Sequence, residues 1–187
     1  MSLLDIEALD VGADVRAVGL DLVEADENRE PVRGAAAARI WSRVLQATAG
    51  QERWALDFFS HLERVRDFCK LHGISFREAS QRSLVIPAPE PAALESLLER
   101  FEAETFGVRA GALVSPDGAG DAALEGDLAR RGVDAYHTAY PRYFFCGICA
   151  FEDASLVLLS ENLWASEVIR RVRPTIKGLD VEVHLPN

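Results

Sequence analysis

The sequence predicts an α/β domain built on a mixed, largely parallel sheet flanked by helices. Three observations carry that reading. Short runs rich in Val, Leu and Ile alternate with amphipathic stretches through the second half of the chain, the pattern of strand–helix units. Apolar residues make up 49% of the 187 residues, enough to bury a core without disulfides or metal. The tracts YFFCGICAF (143–151) and SLVLL (155–159) are nearly continuous apolar runs, as expected of adjacent strands buried on both faces. Residues 1–187 are read as one domain, with a helical segment at 35–82 and an α/β core at 83–187.

Each element has its own signal. Residues 14–25 (DVRAVGLDLVEA) alternate and are rich in Val and Leu, which predicts a strand, and the polar stretch 26–34 a loop. A helix is expected from Ala35 to Thr48, ended by Gly50. Trp54, Phe58, Leu62, Val65 and Cys69 recur at helical spacing, with Phe59 and Phe68 widening the stripe. They predict a long core-facing helix over 53–71, stopped at His72-Gly73. Ser75 followed by Glu78 has the spacing of a capping box and predicts a short helix over 75–82.

Beyond it, Leu84–Ile86 is a short strand, and the proline-rich stretch 87–91 leads into a helix carrying Leu94, Leu97, Leu98 and Phe101. Val108–Val114 is expected as a strand, Ser115–Gly118 as a turn, 121–131 as a helix and Val133–Tyr136 as a strand. A helix over 161–173 stopped by Pro174, and an alternating strand over 179–185, complete the prediction.

Acidic residues outnumber basic ones 30 to 20, so the net charge of −10 opposes non-specific binding to polyanions. The first residues, MSLLDIEALD, show neither a basic leader nor a long apolar core, and no run of about eighteen apolar residues occurs. The expected location is therefore the cytoplasm, with no membrane contact and with the three cysteines as free thiols. Phosphate-binding glycine loops and the G-x-S-x-G nucleophile elbow are missing from the sequence.

Four constellations could carry chemistry. Cys69-x-x-His72 with Cys146-x-x-Cys149 has the count and ligand types of a tetrahedral zinc site. Cys146 and Cys149 sit inside a strand pattern, however, where positions three apart face opposite ways, so packing thiols are the preferred reading and no cofactor is expected. A redox Cys-x-x-Cys wants a helix N-terminus to lower the thiol pKa, and another strand follows here instead. Residues 62–82 resemble a helix-turn-helix, with Gly73 in the turn and Arg77, Gln81 and Arg82 placed to meet phosphates or base edges. Finally, Tyr136, His137, Tyr140, Arg142 and Tyr143 cluster near an expected strand end, where open α/β sheets collect ligands.

The segment 126–163 resembles half of a phospholipase D-like domain. Arg131-Gly132-Val133 matches the family's helix end, and Ser160-Glu161-Asn162-Leu163 its S-x-N-L end. The resemblance aligns Phe145 with the family's His, Gly147 with its Lys and Glu152 with its Asp. Neither Phe145 nor Gly147 can attack or neutralise a phosphate, so the resemblance implies a catalytically dead copy.

Together these readings favour a non-catalytic regulatory or binding domain, one that senses a small ligand or docks a protein partner, with a homo-oligomer also open. The alternatives are a transcription regulator using 62–82 and a structural zinc-binding protein.

Overall fold

The computed structural model describes residues 1–10, 16–101, 104–115, 121–150 and 153–185. Nine strands form one sheet: β1 (Ser2–Asp10), β2 (Arg16–Glu24), β3 (Trp54–Phe58), β4 (Arg77–Ser80), β5 (Ser83–Pro87), β6 (Thr105–Ala110), β7 (Phe145–Ala150), β8 (Ser155–Leu159) and β9 (Val181–His184). Their order across the sheet is β4-β5-β3-β6-β7-β8-β2-β1-β9. The helices are α1 (Gly34–Ala49), α2 (Leu62–His72), α3 (Pro91–Arg100), α4 (Ala122–Arg131), α5 (Tyr136–Ala139) and α6 (Ala165–Thr175). Short 3₁₀ turns at Gly132–Ala135 and Tyr140–Arg142 bracket α5.

The sheet is mixed but mostly antiparallel, which corrects the expectation of a largely parallel one. Among the strands of the described residues only β1 and β9 pair in parallel, and the other neighbours are antiparallel. The physical reason lies in the crossovers. Helices α1, α2, α3 and α6 each join two strands that run the same way, as strand–helix alternation suggests. Those two strands are never neighbours: β3 lies between β5 and β6, for example, and pairs antiparallel with both. Hairpin partners fill the gaps, so alternation along the chain does not become parallel pairing in space.

Strand periodicity splits the core in two. Leu56, Phe58, Phe106, Val108, Phe145 and Cys149 face one side, where α1, α2, α3 and α6 cover them. Ala55, Val85 and Cys146 face the other, under α4, α5 and their flanking turns. On the larger side Phe58 meets Phe106 at 5.3 Å and Phe101 edge-on at 5.9 Å. Each such pair adds about 1 kcal/mol beyond its area.

Several elements differ from expectation. The stretch 53–71 is β3 followed by α2, with His61 in the left-handed region (φ 48°) at the junction. Trp54 and Phe58 are four apart, a spacing that suits a helix and an alternating strand equally. The fully buried burial pattern of β3, at the sheet's interior, decides for the strand. Residues 75–82 are not a helix: β4 turns through Gln81-Arg82 into β5, with Ser80 opposite Ser83. Residues 133–136 are helical turns rather than a strand, because Tyr136, Ala139, Tyr140 and Tyr143 recur at helical spacing and all are buried. β6 ends at Ala110, short of the expected Val114. β1 has no counterpart among the expected strands, although Ser2, Leu4 and Ile6 alternate inward. Part of the expected Ser115–Gly118 turn, and Glu152, lie outside the described residues.

Candidate functional site

The charged residues that the fold hides completely lie beneath the tyrosine-rich turns. Asp57 of β3 stands opposite Gly107 of β6, and Arg109 sits two residues further along the same face. That diagonal suits a long side chain reaching back across the ladder. Arg109 donates from Nε to Asp57 Oδ2 (2.9 Å) and from Nη2 to Oδ1 (3.1 Å), a bidentate pair with both side chains 0% exposed. The Tyr136 hydroxyl, brought in by α5, donates to Asp57 Oδ2 at 2.7 Å. Gly107 makes room for that ring: a Cβ there would fall 1.9 Å from the hydroxyl oxygen.

The electrostatics follow from dryness and proximity. Burial opposes charge on Arg109, but the Asp57 carboxylate outweighs it and holds the guanidinium pKa above its ordinary value. Burial, then Asp57, push the Tyr136 phenol well up. Burial likewise raises Tyr143, with Arg109 opposing. Arg109 Nη1 and Tyr143 Oη are among the buried polar atoms that lack a hydrogen-bond partner among the described residues. The Arg109 guanidinium is nonetheless near enough to the Tyr143 hydroxyl to favour its ionised form against burial.

The five residues expected to rim a ligand site therefore divide. Tyr136, Tyr140 and Tyr143 point inward as core, while His137 and Arg142 are exposed. Arg142 pairs with Asp121 (2.5 Å), whose other duty is to cap α4 by accepting from the Ala123 N–H at 2.9 Å. Asp57 and Arg109 escaped the sequence reading. The available signal was a single charge of opposite sign in each of two apolar runs, WALDF and FGVRA.

The other constellations come apart. Cys146 lies in the core beneath α4 and α5 and Cys149 in the core on the opposite side of the sheet, as positions three apart in a strand require. The structure therefore does not bring Cys69, His72, Cys146 and Cys149 together, and no cluster suited to a metal occurs among the described residues. Burial pushes the Cys69 thiol up to about 11 and the other two higher still, the reverse of redox activation. The second helix of the expected helix-turn-helix is the β4–β5 hairpin. Arg77 there is bound to Glu125, and Arg82 reaches the Ala129 carbonyl. In the phospholipase D-like segment, Phe145 and Gly147 lie in β7. Ser160 donates to the Phe144 carbonyl (2.5 Å) and accepts from the Asn162 and Leu163 N–H groups, the bonds of a turn.

An accessible concavity lies elsewhere, at the β9 end of the sheet. A groove of about 780 Å³ runs between α6 and β9, with Ile169, Ile176, Leu179, Val181 and Val183 as its apolar lining and Arg170, Arg173 and Lys177 along it. Ser2 N–H donates to the Asp180 carbonyl at 3.0 Å. In a parallel ladder this turns the main-chain groups of Glu182 towards β1 and those of Val181 and Val183 outward. β9 is the last strand of the sheet, so that edge is open among the described residues. No helix among them is long and apolar enough to cross a membrane.

Compared with protein-family models, with curated proteins and with solved structures, the chain matched none of them.

Proposed function

We propose that the chain is a binding module without chemistry of its own, which docks an extended segment of a protein partner along the open edge of β9. The observation that carries this reading is the pair Val181 and Val183, whose main-chain donors and acceptors face outward beside an apolar-lined groove. An edge of this kind takes up a further strand through main-chain hydrogen bonds, with alternate side chains entering the adjacent groove. Two further observations support it. The buried cluster of Asp57, Arg109 and Tyr136 has no exposed surface through which a substrate could be reached. All three thiols are buried, with pKa values raised away from reactivity.

The test is amide hydrogen exchange on the full chain with an excess of extended decapeptides alternating Thr and Val. Protection gained at Val181 and Val183 is the expected result. If none appears with any peptide near millimolar concentration, where even weak strand addition registers, the proposal fails.

A further inference from the structure

We infer that the docked segment is acidic on one face, the face turned towards α6. The inference rests on the β9 docking proposed above and deepens it by naming the partner's chemistry. A strand added beyond β9 sends alternate side chains to opposite sides of the sheet. On the α6 side these side chains meet Ile169, Arg173 and Lys177. Arg170, on the same helix, is held by Glu167 through two 2.7 Å bonds. Arg173 and Lys177 are exposed and have no ion-pair partner among the described residues. Two uncommitted cations beside an apolar floor are notable in a chain carrying a net −10.

Alternation sends the exposed Glu182 side chain to the opposite side of β9, although the residue also borders the groove. On that side His184 (2.8 Å) and Arg29 both bind Asp5. Carboxylates are therefore favoured only at every second position of the incoming strand, those over Arg173 and Lys177. The same charges disfavour a second copy of this chain as the occupant. A two-fold contact through β9 would bring the basic rims of both copies to one seam, between two bodies of net −10.

The test uses fluorescein-labelled decapeptides in which Thr alternates with Glu, Gln or Lys, titrated against the full chain by anisotropy in about 50 mM and about 500 mM NaCl. The Glu peptide is expected to bind roughly fivefold tighter than the Gln peptide, the combined worth of two exposed ion pairs. The Lys peptide should bind more weakly than either, and high salt should erase the differences. The double variant Arg173→Glu/Lys177→Glu should reverse the order. Both positions are exposed, and an unchanged melting temperature confirms that the variant folds.

Equal binding of all three peptides, or an order unaffected by the double variant, overturns the acidic segment while leaving the β9 docking in place. Absence of any binding, together with unprotected Val181 and Val183 amides, overturns both. A concentration-dependent dimer that protects those amides without peptide and is abolished by Val183→Pro would assign the edge to a second copy, against this inference. The Val183 N–H points outward, so proline there removes no bond to β1. N-methylating the Glu peptide at alternate residues gives the same block with the protein unaltered.

Discussion

Replacing Arg109 by Met is expected to remove a large part of this domain's stability, and replacing its partners as well is expected to return most of it. Asp57 is fully buried and receives two bonds from Arg109 and one from Tyr136. Without the guanidinium, its carboxylate would sit in a dry site with one phenol for company. Breaking a buried pair in this way costs about 3–5 kcal/mol, against about 5–15 kcal/mol for a whole domain. At a urea slope of about 2 kcal/mol per molar, the midpoint should fall by roughly 2 M. Asp57→Leu should cost a similar amount, because it strands a guanidinium whose Nη1 already lacks a partner.

The triple variant Asp57→Leu/Arg109→Met/Tyr136→Phe leaves none of these groups to strand. It should unfold within about 1 kcal/mol of the parent, far from the sum of the single losses. Urea titration followed by the fluorescence of the buried Trp41 and Trp54 measures all four proteins. A single variant losing less than about 1 kcal/mol, or a triple variant losing the sum of the singles, would refute the picture of a dry, mutually dependent cluster.

Two further outcomes follow from groups that the fold buries. Gly107→Ala should cost about 3 kcal/mol, since its Cβ would overlap both the Tyr136 hydroxyl and the ring behind it, displacing the ring from Asp57. Thermal unfolding measures the loss, and an unchanged melting temperature counts against the packing described. Alkali should unfold the chain steeply. The folded state keeps protons on Cys146, Cys149 and Tyr136 that an unfolded chain gives up near pH 9.0 for thiols and 10.0 for phenols. Stability is thus complete below pH 9 and falls as the pH rises beyond it, by about 1.4 kcal/mol per pH unit for each ionising group. A urea midpoint that stays flat from pH 7 to 11 would contradict this.

The sequence was legible where one period dominated. Helices α1 and α4 lie within a residue or so of their expected spans, α3 follows the proline-rich stretch as expected, and β7 and β8 are neighbouring strands as their apolar runs implied. The opposite placement of Cys146 and Cys149 also followed from strand geometry alone. Legibility failed where two periods coincide or where pairing overrides local preference. Trp54 and Phe58 fit a helix and a strand alike, and the capping-box spacing of Ser75 and Glu78 yields to hairpin pairing with β5. Sheet order was hidden because alternation shows which strands run the same way but not which lie side by side. The buried ion pair depends on register between β3 and β6, which no local pattern encodes. The groove depends on β9 being last in the sheet, which is again a property of pairing across the chain.

Strand β2 takes one neighbour, β1, from just before it and the other, β8, from far along the chain, where Leu159 pairs with Ala17. A ribosome therefore releases the first hairpin long before the strand that completes one of its sides exists. Until then Leu20 and Leu22, buried in the finished sheet, have no permanent cover. Closing so long a loop is slow, which makes the nascent hairpin the part of this chain most exposed to wrong pairing and to chaperone attention during synthesis.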